Sequence, residues 1–145
     1  MNEPTWASRN IFLQTFNLEN KSVVDFGCGD KSILNYCKFK EYLGIDKNSN
    51  ADIVTDLNNY DFTLPKKYDV GIILGVLEYL DNPEKFLKFV SPFAKTFIIL
   101  ILPRQTPKKE WKQSFSTYSF ESLLNNIFKK INYYNNGKYL IAKCM

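Results

Sequence analysis

Three carboxylates, Asp25, Asp46 and Asp56, each stand at the end of a short apolar run, and the first is followed by Gly27 and Gly29. Acids at the ends of parallel strands gather on one edge of a sheet, where doubly wound domains bind their ligands. The two glycines permit positive φ and let a ligand lie against bare backbone. Asp46 lies 19 residues after Gly27, close to the offset of roughly 20 at which an acid accepts hydrogen bonds from ribose hydroxyls. A carboxylate suits a cis-diol because it accepts from both hydroxyls at once. Asp25, directly beside the turn, would repel a pyrophosphate but can help hold an ammonium group. Ser32 replaces the third glycine of the dinucleotide pattern, which argues against a nicotinamide cofactor. These residues suit a ligand with a ribose and an α-amino group and without phosphates.

The elements that must carry them follow from apolar patterning. Val23, Val24 and Phe26 make a buried strand into the glycine turn, and Asp30 is placed to cap a helix of about two turns carrying Ile33, Leu34 and Cys37. Residues 41–46 and 52–54 are two further strands. Only five residues separate Asp46 from Asp52, whereas a parallel crossover normally takes a dozen or more. Either the connecting helix is reduced to a tight turn or the strand limits differ. Val70 to Leu74 and Thr96 to Leu102 are continuous apolar strands of the kind found in mid-sheet. Between them, Asn82-Pro83 opens a helix that buries Phe86, Leu87, Phe89 and Val90 and stops at Pro92. A first helix is expected over 5–16, and Ser119 is expected to cap an amphipathic helix carrying Phe120, Leu123, Leu124, Ile127 and Phe128. Ile131–Tyr134 and Lys138–Lys143 flank Asn136-Gly137, a type I′ hairpin signal. The expected fold is α/β: a Rossmann-like, doubly wound, mostly parallel sheet with a C-terminal antiparallel hairpin and reduced connecting helices, in a single domain over 1–145.

Composition narrows the chemistry. Histidine is absent, which removes the commonest general base and the commonest metal ligand together. Cys28, Cys37 and Cys144 have no metal-binding spacing, so no metal is expected, and they read as free thiols of a reducing, cytoplasmic compartment. No secretory signal pattern or membrane-length apolar run is present. The net charge of +4 is modest. The densest basic stretch, Arg104 to Lys112, reads first as a solvated loop, so nucleic acid is not indicated.

Val23-Val24-Asp25-Phe26-Gly27-Cys28-Gly29-Asp30 resembles motif I of the class I S-adenosylmethionine-dependent methyltransferases. Tyr42 to Asp46 resembles the second motif and its ribose-binding acid, and Asp52 to Leu57 the third, which flanks adenine. Tyr68-Asp69-Val70 and Gly75 through Pro83 are similar to the fourth, in the small methyltransferase group that includes the MetW-like proteins. Tyr118 to Leu124 resembles the opening of the last helix. The resemblance runs from about residue 20 to the C-terminus.

It implies S-adenosylmethionine as cofactor and an unidentified methyl acceptor. By position, Asp25, Gly27 and Gly29 would surround the methionine part, Asp46 the ribose, and Asp56 with Leu57 the adenine. Leu74 and Gly75 would line the methyl-bearing side, with Trp6 and Arg9 available to cover the site. Asp56 also suits a simple turn cap. Many relatives have histidine where Tyr79 stands, so a base would have to be Tyr79 or Glu78. An unperturbed tyrosine, titrating near 10, is a poor one. Arg104, Trp111 and Lys112 are acceptor-site candidates between the N-terminal helix and the 103–117 loop. The chain carries little beyond the core fold, so no large substrate domain is expected. The departure at Tyr79 and the reduced connections leave open a non-catalytic binding protein or a subunit with a protein partner.

Overall fold

In the computed structural model, which describes residues 10–103, 110–135 and 138–145, strand β1 (Ser22–Phe26) is buried along its whole length. Val23 faces one side of the sheet and Val24 and Phe26 the other, and each side has its own apolar layer. Such two-sided burial explains why its sequence is an apolar run rather than an alternation. Among the described residues the sheet has seven strands in the order β3-β2-β1-β4-β5-β7-β6. The parallel members are β1, β2 (Glu41–Asp46), β3 (Ile53–Val54), β4 (Tyr68–Leu74) and β5 (Ala94–Ile101). β6 (Ile131–Asn135) and β7 (Leu140–Cys144) form the antiparallel end, with β7 inserted beside β5. The chain leaves β1 in one direction to build β2 and β3, then returns to build β4 on the other side. The crevice beyond β1 and β4 is therefore the topological switch point.

The β2-to-β3 link is a tight turn with no helix. β3 pairs only Ile53 with Ile45 and Val54 with Asp46, so the link retraces about two residues, roughly 7 Å of strand. Asp52 secures it, exchanging backbone and side-chain hydrogen bonds with Gly44. The expected two-turn helix after the glycine turn is instead a four-residue 3-10 helix, Ser32–Asn35. Lys31 before it is left-handed, at φ 63°, and Leu34 is exposed. One buried side chain, Ile33, is too little to hold a longer helix.

Helix α1 (Pro83–Val90) starts as its sequence predicts, with the Asn82 side chain accepting from the Lys85 N–H and Pro at the first position. It buries Phe86, Leu87 and Val90. Helix α2 (Thr117–Asn125) is capped by Ser116, not Ser119, which instead forms the third position of a capping box. Phe115 packs edge-on to Phe120 across that cap, a hydrophobic staple that selects the earlier serine. At the N-terminus the described residues are helical through Phe12 and end in a 3-10 turn, Leu13–Phe16. The expected Asn136-Gly137 turn lies outside the described residues.

Candidate functional site

The site forms where four strand ends meet. After β1, Gly27 adopts φ +87°, and a Cβ there would lie 2.4 Å from Val76 Cγ2. Only glycine fits, on both conformational and steric grounds. The Gly27 and Cys28 N–H groups both donate to the Ile45 carbonyl, at 2.7 and 3.1 Å, tying the turn to β2. Asp46 completes the tie: one carboxylate oxygen accepts from Gly29 N–H and the other from Asn48 N–H, each at 2.9 Å. A carboxylate has about four acceptor positions, so Asp46 keeps capacity for a ligand. Asp56 caps the 3-10 turn Leu57–Asn59 through Asn58 N–H at 2.9 Å.

After β4, Gly75 has φ 66° and donates its N–H to the Leu100 carbonyl. The chain then makes the 3-10 turn Leu77–Tyr79. Glu78 is only 1% exposed. Its carboxylate accepts from Leu102 N–H at 3.0 Å, and its carbonyl accepts from Lys112 N–H and Gln113 N–H at 2.8 and 3.0 Å. One residue thus binds the end of β5 to the segment carrying Trp111. Tyr79 points a half-exposed ring at Trp111, edge-on, with centroids 6.4 Å apart and an interplanar angle of 77°.

These residues enclose a cavity of about 430 Å³, within the range of small-molecule sites. Gly27, Asp46, Asp56, Leu57, Leu74, Gly75, Glu78, Tyr79 and Trp111 all line it. Asp25 and Gly29 do not. Asp25 is buried behind the turn, where its carboxylate accepts from the Tyr42 hydroxyl at 2.6 Å. Burial first, and the Asp25 charge second, push that hydroxyl well above its ordinary range, so Tyr42 acts as a donor. Lys112 is not in the wall; its ammonium pairs with Asp81. Arg104, Trp6 and Arg9 lie outside the described residues.

The wall also holds residues that sequence reasoning passed over. Lys47, Thr55 and Asn58 sit one or two positions from Asp46 and Asp56, and that adjacency was a usable signal. Tyr139 had none, because only the antiparallel return of β7 beside β5 brings it there. Cys28, between the glycines, is buried over Gly44. Burial, then the Asp25 and Asp46 charges, push its thiol up to about 12, so it is a packing group and not a thiolate nucleophile. Among the described residues no cluster of His, Cys, Asp and Glu could hold a metal ion, and no helix is long and apolar enough to cross a membrane.

Comparison with known proteins gives a consistent picture. Residues 4–139 match the family described as "Methyltransferase domain". The provisionally named methyltransferase 235L of Invertebrate iridescent virus 6 is 28% identical, with 78% of this chain and 53% of that protein covered. The chain thus spans about half the length of that curated relative. Among solved structures, the plantazolicin methyltransferase BpumL in complex with SAH superposes with a TM-score of 0.70 at 19% identity, covering 95% of this chain and 82% of that one. A SAM-dependent methyltransferase from Archaeoglobus fulgidus gives 0.72 at 17% identity, covering 96% and 94%. The doubly wound sheet with its antiparallel end is the fold they share.

Proposed function

The chain belongs to the methyltransferase-domain family, and from that premise we propose that it transfers a methyl group from S-adenosylmethionine to an acceptor bound at the Tyr79–Trp111 end of the cavity. The observation that carries this reading is the convergence of Gly27, Asp46, Asp56 and Gly75, from four strand ends, on one cavity. The donor set fits the group. Asp46 and Asp56 line the cavity and Asp25 is buried next to the turn; carboxylates so placed oppose a phosphate-bearing ligand and favour a diol and an ammonium group.

In this reading Asp46 accepts from the ribose hydroxyls, and Asp56 with Leu57 flanks the adenine. Gly27 and Gly29 admit the methionine part against the backbone, and the buried Asp25 favours its ammonium group by charge from behind the turn. Leu74 and Gly75 border the reacting end. When bound, S-adenosylmethionine supplies a methyl group already activated by the sulfonium. The protein's task is then alignment and water exclusion, which can supply most of the acceleration. Glu78 serves that task by fixing Leu102 and the Trp111 segment. No side chain need be assigned as a base, which accommodates tyrosine at position 79.

Titration calorimetry with S-adenosylmethionine and S-adenosylhomocysteine tests the reading. Saturable heat with both is expected. No heat and no thermal shift would overturn it, and binding without methyl transfer across an acceptor panel would favour a non-catalytic protein of the same fold. Asp46→Ala is expected to weaken the affinity at least about tenfold, because a buried diol loses its charged acceptor. Unchanged affinity would remove the ribose assignment.

A further inference from the structure

We propose that the edge of the sheet opposite the cavity is a sequence-independent docking surface for a nucleic-acid duplex, held through its phosphates by a row of lysines.

Topology builds the row. The parallel strands all begin on this edge, and the four longer ones begin at or beside lysine. Lys38 and Lys40 lead into β2, Lys21 into β1, and Lys66 and Lys67 into β4, while Lys95 is the second residue of β5. β6 is antiparallel to β7 and so runs in the same direction as β5, which brings Lys129 and Lys130 to the same edge. All eight side chains are exposed. The Lys40 N–H donates to the Lys21 carbonyl at 3.0 Å, and the Lys129 and Lys130 N–H groups donate to the Met145 carbonyl at 3.2 and 3.3 Å. Both ends of the row are thereby fixed to the sheet. From β2 to β6 the row crosses five strand spacings, about 24 Å. These lysines are scattered along the chain, and for that reason no local stretch pointed to a polyanion.

Charge on this edge is largely uncompensated. Lys66 pairs with Glu41 at 2.6 Å, and Lys95 lies 3.6 Å from Asp69. Among the described residues the other six lysines form no ion pair. The opposite edge carries Asp46, Asp52 and Asp56. The two edges thus differ in sign, and a polyanion is steered to the lysine side.

The form of the array selects the partner. A sheet edge is a line, and point charges strung over about 24 Å match the rod of a duplex, facing about seven base-pair rises. Lysine ammonium groups hold phosphates without reading bases. A single strand needs stacking platforms, and the rings here are turned inward: Tyr68 is buried beneath Lys66, and Phe39 is stacked on Tyr42. A membrane surface needs an apolar anchor, and Met145, beside Lys129, is the large exposed apolar side chain at the row. β4 spans seven residues, about 23 Å, so a duplex on this edge does not reach the cavity. It tethers the protein and is not the methyl acceptor.

The test is fluorescence anisotropy of the full chain with fluorescein-labelled DNA duplexes of roughly 20 base pairs in two unrelated sequences. Unlabelled duplex, polyglutamate, and phosphatidylcholine vesicles containing phosphatidylserine serve as competitors. Both sequences are expected to bind equally, and about five phosphate contacts give log K a slope of about −4 to −5 against log salt. Lys38→Gln with Lys40→Gln, and separately Lys129→Gln with Lys130→Gln, remove the two ends of the row. Each pair is expected to weaken binding at least about tenfold at low salt and to flatten the slope by about 2. Lys85→Gln with Lys112→Gln removes the same charge on the cavity side, where Lys85 lies over the Tyr60 ring and Lys112 pairs with Asp81, and should change affinity less than about threefold. Unchanged melting temperatures certify that the variants fold, and either end of the row suffices as a test. No duplex binding in about 50 mM NaCl, or a loss in the control pair equal to that of the row pairs, overturns the proposal. So does displacement by the vesicles or polyglutamate that exceeds displacement by unlabelled duplex, which would make the edge a membrane or protein contact.

Discussion

The two halves of the sheet are held by different physics. On the β1–β3 side the connections are 3-10 turns and tight links, and carboxylates do the work that helices do elsewhere. Asp30, Asp46, Asp52 and Asp56 accept from the backbone N–H groups of Ser32, Gly29, Asn48, Gly44 and Asn58. On the β4–β7 side two capped helices cover an aromatic layer that reaches across to β1: Phe86 of α1 meets Phe26 of β1 edge-on at 5.9 Å, and Phe128, just after α2, lies 5.6 Å from Phe97. Backbone donors released by shortening a crossover must find other partners. Acids placed at strand ends meet that need and retain lone pairs for a ligand. Losing helices and gaining an edge of carboxylates with spare acceptor capacity are thus one arrangement seen from two sides. The difference also predicts that stability resides in the helical half and pH sensitivity in the acidic half.

The largest expected effect tests the helical half. Phe86 is fully buried, and Phe86→Ala should destabilise by about 4 kcal/mol through lost transfer energy and a cavity, read from urea unfolding. A loss below about 1 kcal/mol would mean that the aromatic layer is not what holds that side. On the acidic side Gly44 packs closely within β2, where an added Cβ would lie 2.8 Å from Cys28 Sγ and 2.9 Å from its Cβ. Gly44→Ala should cost about 2 kcal/mol by overpacking. In the double variant with Cys28→Gly most of that clash is relieved, so the two changes should be non-additive. Additivity would show that the glycine is required for another reason.

Much of this contrast was legible beforehand, and what was not has identifiable causes. Continuous apolar runs marked β1, β4 and β5, because strands buried on both faces show no alternation. The five residues between Asp46 and Asp52 left either a reduced connection or different strand limits, and the structure has the reduced connection. Asp46 and Asp56 were visible as strand-end acids at a fixed spacing, and both line the cavity, whereas Asp25 does not. The cap of α2 was misplaced by one turn: Ser116 and Ser119 are equivalent in the local pattern, and the Phe115–Phe120 contact that separates them is tertiary. Tyr139 was invisible because nothing near it in the chain refers to the cavity. The role of Glu78 was only half visible. Its place beside Tyr79 raised it as a candidate base, whereas its bonds to Leu102, Lys112 and Gln113 depend on segments 24 residues and more away.

The smallest effects sharpen the claim that carboxylate-to-backbone bonds, and not ion pairs, secure the acidic half. Asp52 is the test residue. The Gly44 N–H first, and Lys31 beside it, hold its carboxyl below the ordinary 3.8. A folded value below the unfolded one contributes stability above about pH 4, and that contribution fades as pH falls through the folded value. Asp52→Asn should therefore cost about 1 kcal/mol at pH 7, with the gap to wild type narrowing at pH 3. Asp69, also held low by its bonds to Ser22, titrates in both proteins and cancels in the difference. Lys31→Met removes only the ion pair, whose side chains are 22% and 38% exposed, and should cost no more than about 0.5 kcal/mol, less in high salt. If Lys31→Met matched Asp52→Asn and lost its effect in 1 M NaCl, the link to β3 would be held by charge pairing, and the distinction between the two halves would have to be redrawn.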